Sequence, residues 1–402
     1  MAFVSSLSDT GRAKVQERAI GLGAALLIGL NLRPAITSVA ALLEPIGAGF
    51  ALSAVQLSIL ATLPVIAFGL TAPLGPLLAR RLGVVRALVW AMAALAMSLI
   101  LRAVLPGAML AGTFVAGAAI MVAGTLLPPY LKSLGAGGLW VGLSSMSFSA
   151  GAALGAGLSV PVSHASGPSL ALAVWAVPAL LATGAMIRVA SRSDAPSHTP
   201  ARTRITRATR RTVALVTIMF GLQAMLFFAV AAWLPRLLGD RGVDQATAGW
   251  LLALASIAGL IPTLVAPMVA RRRRVLLWFG PGLGAVMAIA FVWLASGDAS
   301  YVIITIVLGA VQGAMFGLSL SLIVTQSQNQ ASAGLLSAVS QGVGYAFAGA
   351  GSLLVGILHD LTGDWTPGLV FMIASAAVLS VIVALVIRRP AVDLREESAV
   401  AA

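Results

Sequence analysis

Residues 60–81 read LATLPVIAFGLTAPLGPLLARR, and residues 251–272 read LLALASIAGLIPTLVAPMVARR. Laid over each other, Pro76, Ala79, Arg80 and Arg81 fall on Pro267, Ala270, Arg271 and Arg272. Each stretch is an apolar run closed by paired arginines. Ser53 and Asp244 stand just ahead of the two runs, where a short side-chain oxygen caps a helix by accepting from its first turn. Gly29-Leu30-Asn31 and Gly221-Leu222-Gln223 repeat at almost the same spacing. The chain therefore reads as one pattern written twice.

Both copies are built from apolar runs long enough to span a bilayer. Such a crossing takes about 20 residues at 1.5 Å each. Twelve runs qualify, near 19–43, 54–79, 84–104, 107–130, 139–163, 167–190, 212–237, 246–270, 275–296, 299–325, 333–358 and 366–387. The chain of 402 residues is 59% hydrophobic and 9% charged, against about 25% charged in an ordinary soluble domain. The expected fold is an all-α membrane protein of twelve helices in two pseudo-symmetric six-helix bundles, 1–190 and 212–402. A β-barrel would need short strands alternating with polar residues.

The net charge of +13 reads as topology rather than as affinity for nucleic acid. With the N-terminus in the cytoplasm, 21 of the 25 Lys and Arg fall inside. Arg102, Arg236 and Arg241 fall outside, and Arg33 lies within a span. Positive charge on inner loops sets orientation, so both termini are expected in the cytoplasm of a multi-pass protein of a bacterial inner membrane. No soluble basic domain is left to bind nucleic acid. Residues 191–211, SRSDAPSHTPARTRITRATRR, read as a flexible cytoplasmic linker between the halves. Cysteine is absent, which removes disulfides and thiol chemistry. The first apolar run is too long, and lacks a cleavage site soon after it, to be a signal peptide.

Arg33, in GLNLRPAITSVAALLEPIG, is the one charge in the middle of a span. A charge at the bilayer centre costs roughly 2.5–3.5 kcal/mol on insertion scales. Arginine cannot shed its proton, so it needs a cavity and an anionic or polarised partner. The remaining mid-membrane polar groups are Asn31, Gln223, Gln312, Gln341 and Tyr345, with Phe227 and Phe316 one turn beyond two of the amides. An amide beside a ring suits a small planar or polarised solute, although amides also glue membrane helices together. Ser337, Gln341, Tyr345, Ser352 and His359 form a stripe along span 11 that reads as a pathway or as a helix seam. No Asp or Glu falls in the central third of a span. Glu44, His359 and Asp360 are the nearest candidates for carrying a coupling proton. Neither a metal cluster nor a Ser–His pair is evident, so an enzyme is not expected, and no cofactor is. The expected partners are a small-molecule solute and the lipid bilayer, with no nucleic acid, and the chain is expected to act as a monomer.

Two six-helix repeats joined by a basic linker resemble the major facilitator superfamily. Its loop between spans 2 and 3 usually reads G-x-x-x-D-R-x-G-x-R-R. Here PLLARRLGVVR keeps Arg81, Gly83 and Arg86, with Pro76 at the first glycine and Arg80 at the aspartate. That departure weakens the expectation of the usual charge relay. NLRPAITSV (31–39), LQAMLFFAVAAWLPRLL (222–238), LGAVQGAMFGLSLSLIV (308–324) and the stretch 337–367 resemble the cyanate permease and 2-nitroimidazole exporter branch. The resemblance implies alternating access, with Arg81, Gly83, Arg271 and Arg272 acting in the gating loops. It implies a small polar, anionic or nitroaromatic solute. The alternative is a proton-coupled exporter of hydrophobic drugs.

Overall fold

The computed structural model describes residues 9–191, 207–297 and 300–393. Almost all of them are helical. In the first half the helices are α1 (Asp9–Asn31), α2 (Pro34–Ala41), α3 (Leu43–Gly49), α4 (Ala54–Thr71), α5 (Leu74–Leu82), α6 (Val84–Val104), α7 (Met109–Ser133), α8 (Gly138–Ala173) and α9 (Ala176–Ala190). In the second they are α10 (Arg207–Asp240), α11 (Gln245–Ala258), α12 (Leu260–Val269), α13 (Arg273–Ser296), α14 (Tyr301–Thr325), α15 (Gln330–Thr362) and α16 (Thr366–Arg388). Of the linker expected over 191–211, residues 192–206 lie outside the described residues, and α10 reaches back to Arg207.

Ten stretches among the described residues are long and apolar enough to cross a membrane. One of them, Gly138–Ala190, has 53 residues, or about 80 Å of helix at 1.5 Å per residue. It is two crossings turned at Gly167, whose φ of 82° only glycine adopts readily. The pair α4–α5 supplies the twelfth crossing. The result is twelve membrane helices in two six-helix bundles.

Several crossings are broken, and the breaks follow proline. Proline removes a backbone donor and collides with the carbonyl four residues earlier. Pro34 follows the α1–α2 break, Pro178 follows α8–α9, and Pro262 follows α11–α12. The caps of the repeated stretch are as expected. Ser53 accepts from Gln56 N at 3.3 Å while Gln56 Oε1 accepts from Ser53 N at 2.9 Å, and Asp244 accepts from Thr247 N at 3.0 Å.

Glycine lets helices meet backbone to backbone, as membrane packing requires. On α14, a methyl group at Gly309, Gly313 or Gly317 would overlap carbonyl oxygens of α11 and α12. On α13, Gly280 and Gly284 pack against α16, so the Gly-rich run there is a helix contact.

Candidate site at the break in the first helix

Pro34 has no N–H to offer the carbonyl of Leu30, so the first crossing cannot run through as one helix. Leu32 N turns back to Gly29 O at 3.2 Å, and Arg33 becomes the N-cap of α2. The Arg33 carbonyl then accepts from Ile36 N and Thr37 N, both at 3.0 Å. α8 lies against this break. A methyl group at Gly151 would overlap the Leu30 carbonyl, and one at Gly155 would overlap Thr37 and Pro34. The interruption thus holds Arg33 at a fixed place mid-crossing, beside the positive end of α2.

The Arg33 side chain is half-buried. Its guanidinium carbon sits 4.7 Å from the ring centre of Phe148, 5.3 Å from Phe227 and 5.8 Å from Phe228. Tyr345 lies close enough to Arg33 for the two side chains to interact electrostatically. Phe148 comes from the first half, and Phe227, Phe228 and Tyr345 from the second. Each cation–π contact is worth about 0.5 to 2 kcal/mol. The rings therefore offset part of the cost of the buried charge without neutralising it.

Below Arg33 a narrow cavity separates the halves. It is lined by residues that include Gly124, Ser144, Phe148, Phe316, Gln341 and Tyr345. No Asp or Glu is among the described residues that line it. Phe148 meets Phe316 at 5.1 Å and Phe68 meets Tyr345 at 5.4 Å, again one ring from each half. Gln341 bridges the halves, its Nε2 donating to Gly124 O at 3.0 Å.

The two halves close together at the end that carries the arginine pairs. Lys132 Nζ donates to Ser327 O at 2.6 Å and Val324 O at 3.2 Å, where α14 ends. The last carbonyls of a helix carry partial negative charge and attract a cation. Gly142 of α8 packs on the Leu264 carbonyl, and Arg271 lies along Gly137 and Gly138.

The predicted site residues do not all converge. Phe316, Gln341 and Tyr345 line the cavity, and Phe227 stands against Arg33 beside it. Asn31 Nδ2 instead donates to Leu27 O at 2.8 Å and Pro178 O at 3.0 Å, tying α1 to α9. Gln312 Nε2 donates to Leu226 O at 3.3 Å, tying α14 to α10. Gln223 is buried with its Oε1 unpartnered. In the gating loops Arg81 is exposed, Gly83 has a φ of 81° between α5 and α6, and Arg272 caps α13. The stripe on α15 divides. Ser337 accepts from Gln341 near the cavity, whereas the Ser352 carbonyl accepts from Trp233.

The proposed coupling pair is not a pair. His359 Nε2 lies 3.7 Å from Asp240 and its ring stacks on Trp365 at 3.8 Å. Asp360 lies 3.5 Å from Arg236. Trp365 is buried and donates to Asp240 at 2.8 Å. Glu44 falls in α3, and its side chain lies outside the described residues.

Two functional candidates escaped the sequence. Lys132 looked like an ordinary basic residue at a span end. Arg102, assigned above to the outer loops, is wholly buried inside the first half. Its signal was its place inside the run 84–104 rather than after it.

The comparisons with known proteins agree with this architecture. The family model described as Major Facilitator Superfamily matches residues 24–349. An uncharacterised transporter of Bacillus subtilis (strain 168), YycB, is 33% identical over 88% of this chain and 90% of its own length. The 2-nitroimidazole transporter of Escherichia coli (strain K12) is 28% identical over 92% and 95%. The cyanate transport protein CynX of the same organism is 29% identical over 85% and 90%. Among solved structures, a bacterial homologue of the iron transporter ferroportin in an outward-facing state superposes with a TM-score of 0.71 at 16% identity. It covers 90% of this chain and 98% of that one. The transporter FucP in its outward conformation gives 0.70 at 16% identity, with the same coverage. Twelve helices in two halves, a cavity between them and a family model spanning most of the sequence lead to one conclusion: the chain belongs to the Major Facilitator Superfamily.

Proposed function

We propose that this transporter carries a small anionic or strongly polarised solute, bound at Arg33, by alternating access of the two bundles. The observation that carries this reading is the cation itself. It stands at a break in the first crossing, ringed by aromatic faces from both halves, next to a cavity with no carboxylate among the described residues of its lining. A guanidinium with two parallel donors suits a planar oxyanion or a nitro group. Flat aromatic faces suit a thin solute lying against them. The names of two relatives, a cyanate transport protein and a 2-nitroimidazole transporter, fit that chemistry.

Rocking one bundle against the other would exchange the rings around Arg33 and move the closure from one end to the other. The basic end is read as cytoplasmic, with both termini there, in a bacterial inner membrane. In that reading Lys132, Arg271 and the Arg81–Gly83 turn belong to the inner gate, and the residues 191–211 link the halves on the cytoplasmic side. Asn31 and Gln312 serve as helix ties rather than as binding groups.

The apolar part of the lining, including Leu127, Leu131, Val141, Leu320 and Val324, favours the alternative of a hydrophobic drug. One experiment separates the two. Purified protein in liposomes is tested for saturable uptake of cyanate, 2-nitroimidazole and a lipophilic cation. Uptake of either of the first two, inhibited by small anions, supports the Arg33 site. Uptake of the lipophilic cation alone overturns it.

A further inference from the structure

Arg102 is fully buried near the end of α6, where a long basic side chain would ordinarily reach out to the interface. It turns inward instead. Its Nη2 donates to the Ala35 carbonyl of α2 at 3.1 Å, and its Nη1 reaches Thr113 Oγ1 of α7 at 3.5 Å. Its Nε has no partner. Gly112 makes room for the stem, since a methyl group there would stand 2.6 Å from the Arg102 Cβ. One guanidinium therefore joins α6, α7 and α2.

α2 is eight residues long and begins directly after Arg33. On one side it packs against α8 through Gly155. Arg102 holds it from the side of α6 and α7. If the purpose were only to satisfy a carbonyl, a neutral amide would do so without the cost of burying a permanent charge. What the charge adds is a charge-assisted bond to the Ala35 carbonyl and a fixed positive potential behind the segment that presents Arg33.

We propose that Arg102 is a positioning residue for Arg33. It clamps α2 through Ala35, so that the Arg33 guanidinium stays among Phe148, Phe227 and Phe228, and it reinforces the field that favours an anion there. The binding role of Arg33 comes from the proposed function. The placement of position 33 by Arg102 does not depend on it, and the two are tested apart.

The chain has no cysteine, so Arg33→Cys provides a single reporter. Its rate of modification by a charged methanethiosulfonate reagent is measured with Arg102, Arg102→Lys and Arg102→Met. Loss of a charge-assisted bond should change the rate in Arg102→Met by roughly tenfold, and Arg102→Lys should restore most of it. With Arg33 intact, half-saturation for cyanate or 2-nitroimidazole uptake should rise in Arg102→Met more than the maximal rate falls. An unchanged labelling rate in Arg102→Met overturns the proposal. If Arg102→Met does not reach the membrane, Gly112→Ala, which displaces the stem while keeping the charge, takes its place under the same criterion. A labelling shift with unchanged half-saturation supports the clamp and counts against Arg33 as the binding group.

Discussion

A guanidinium at the centre of an apolar run is tolerated where rings, a hydroxyl and a cavity replace lost water. Arg33 has three rings around it, with Tyr345 and the cavity beside them, and the two-pronged donor is what a point charge cannot imitate. Arg33→Lys and Arg33→Gln should therefore each lower uptake by tenfold or more, about 1.4 kcal/mol of lost binding, with normal insertion. Liposome uptake at equal protein amounts measures this, and wild-type transport by Arg33→Gln would remove the binding role. The place of Arg33 in mid-crossing was legible in the sequence because it is a lone charge in an apolar run. The destinies of Asn31 and Gln312 were not. An amide on a helix face bonds whichever carbonyl lies opposite, and the opposite helix is named only by packing.

At the scale of elements, glycine and proline shape the first crossing and its neighbour α8. Gly151 and Gly155 touch the break, whereas a methyl group at Gly157 on the same helix would meet nothing within 4 Å. Gly151→Val should push α8 off the Leu30 carbonyl, an overpacking that costs about 1–3 kcal/mol. Gly157→Val should be close to neutral. Thermal unfolding in detergent should show a clear drop in melting temperature for the first and little change for the second. Equal effects would mean that α8 does not depend on this contact. At the end that carries the arginine pairs, Lys132 joins α7 to the end of α14 across the halves. Lys132→Met should loosen this closure by roughly tenfold in equilibrium, the scale of a charge-assisted hydrogen bond. Leu320→Cys in the cavity should then react faster with a thiol reagent applied from the basic end. An unchanged rate would show that the closure rests on other contacts.

For the whole molecule, the open matter is what drives transport. Arg236, Asp240, His359, Asp360 and Trp365 form one cluster away from Arg33, with the acids already engaged by cations or by the indole. Such engaged groups make poor proton carriers unless the bundle opens there. Glu44→Gln, His359→Ala and Asp360→Asn are accordingly expected to accumulate substrate as the unaltered protein does under an imposed pH gradient, measured in vesicles. Loss of accumulation with retained downhill flux in any one of them would identify the coupling group. In the gate, Arg271→Ala, which removes the side chain lying along Gly137 and Gly138, should lower turnover while leaving half-saturation nearly unchanged. A large rise in half-saturation would place it in the binding site instead.

The number of crossings, their division into two halves, the helix caps at Ser53 and Asp244 and the presence of a central cation all follow from the sequence. Hydrocarbon admits only apolar helices, and a repeated pattern folds twice into the same unit. Tertiary structure alone decided where the polar side chains point. It turned Arg102 from an outer-loop residue into a buried clamp, paired His359 with Asp240, and made Lys132 a bond between halves. These depend on which helices become neighbours, and a helix surface offers several faces whose partners lie hundreds of residues away along the chain.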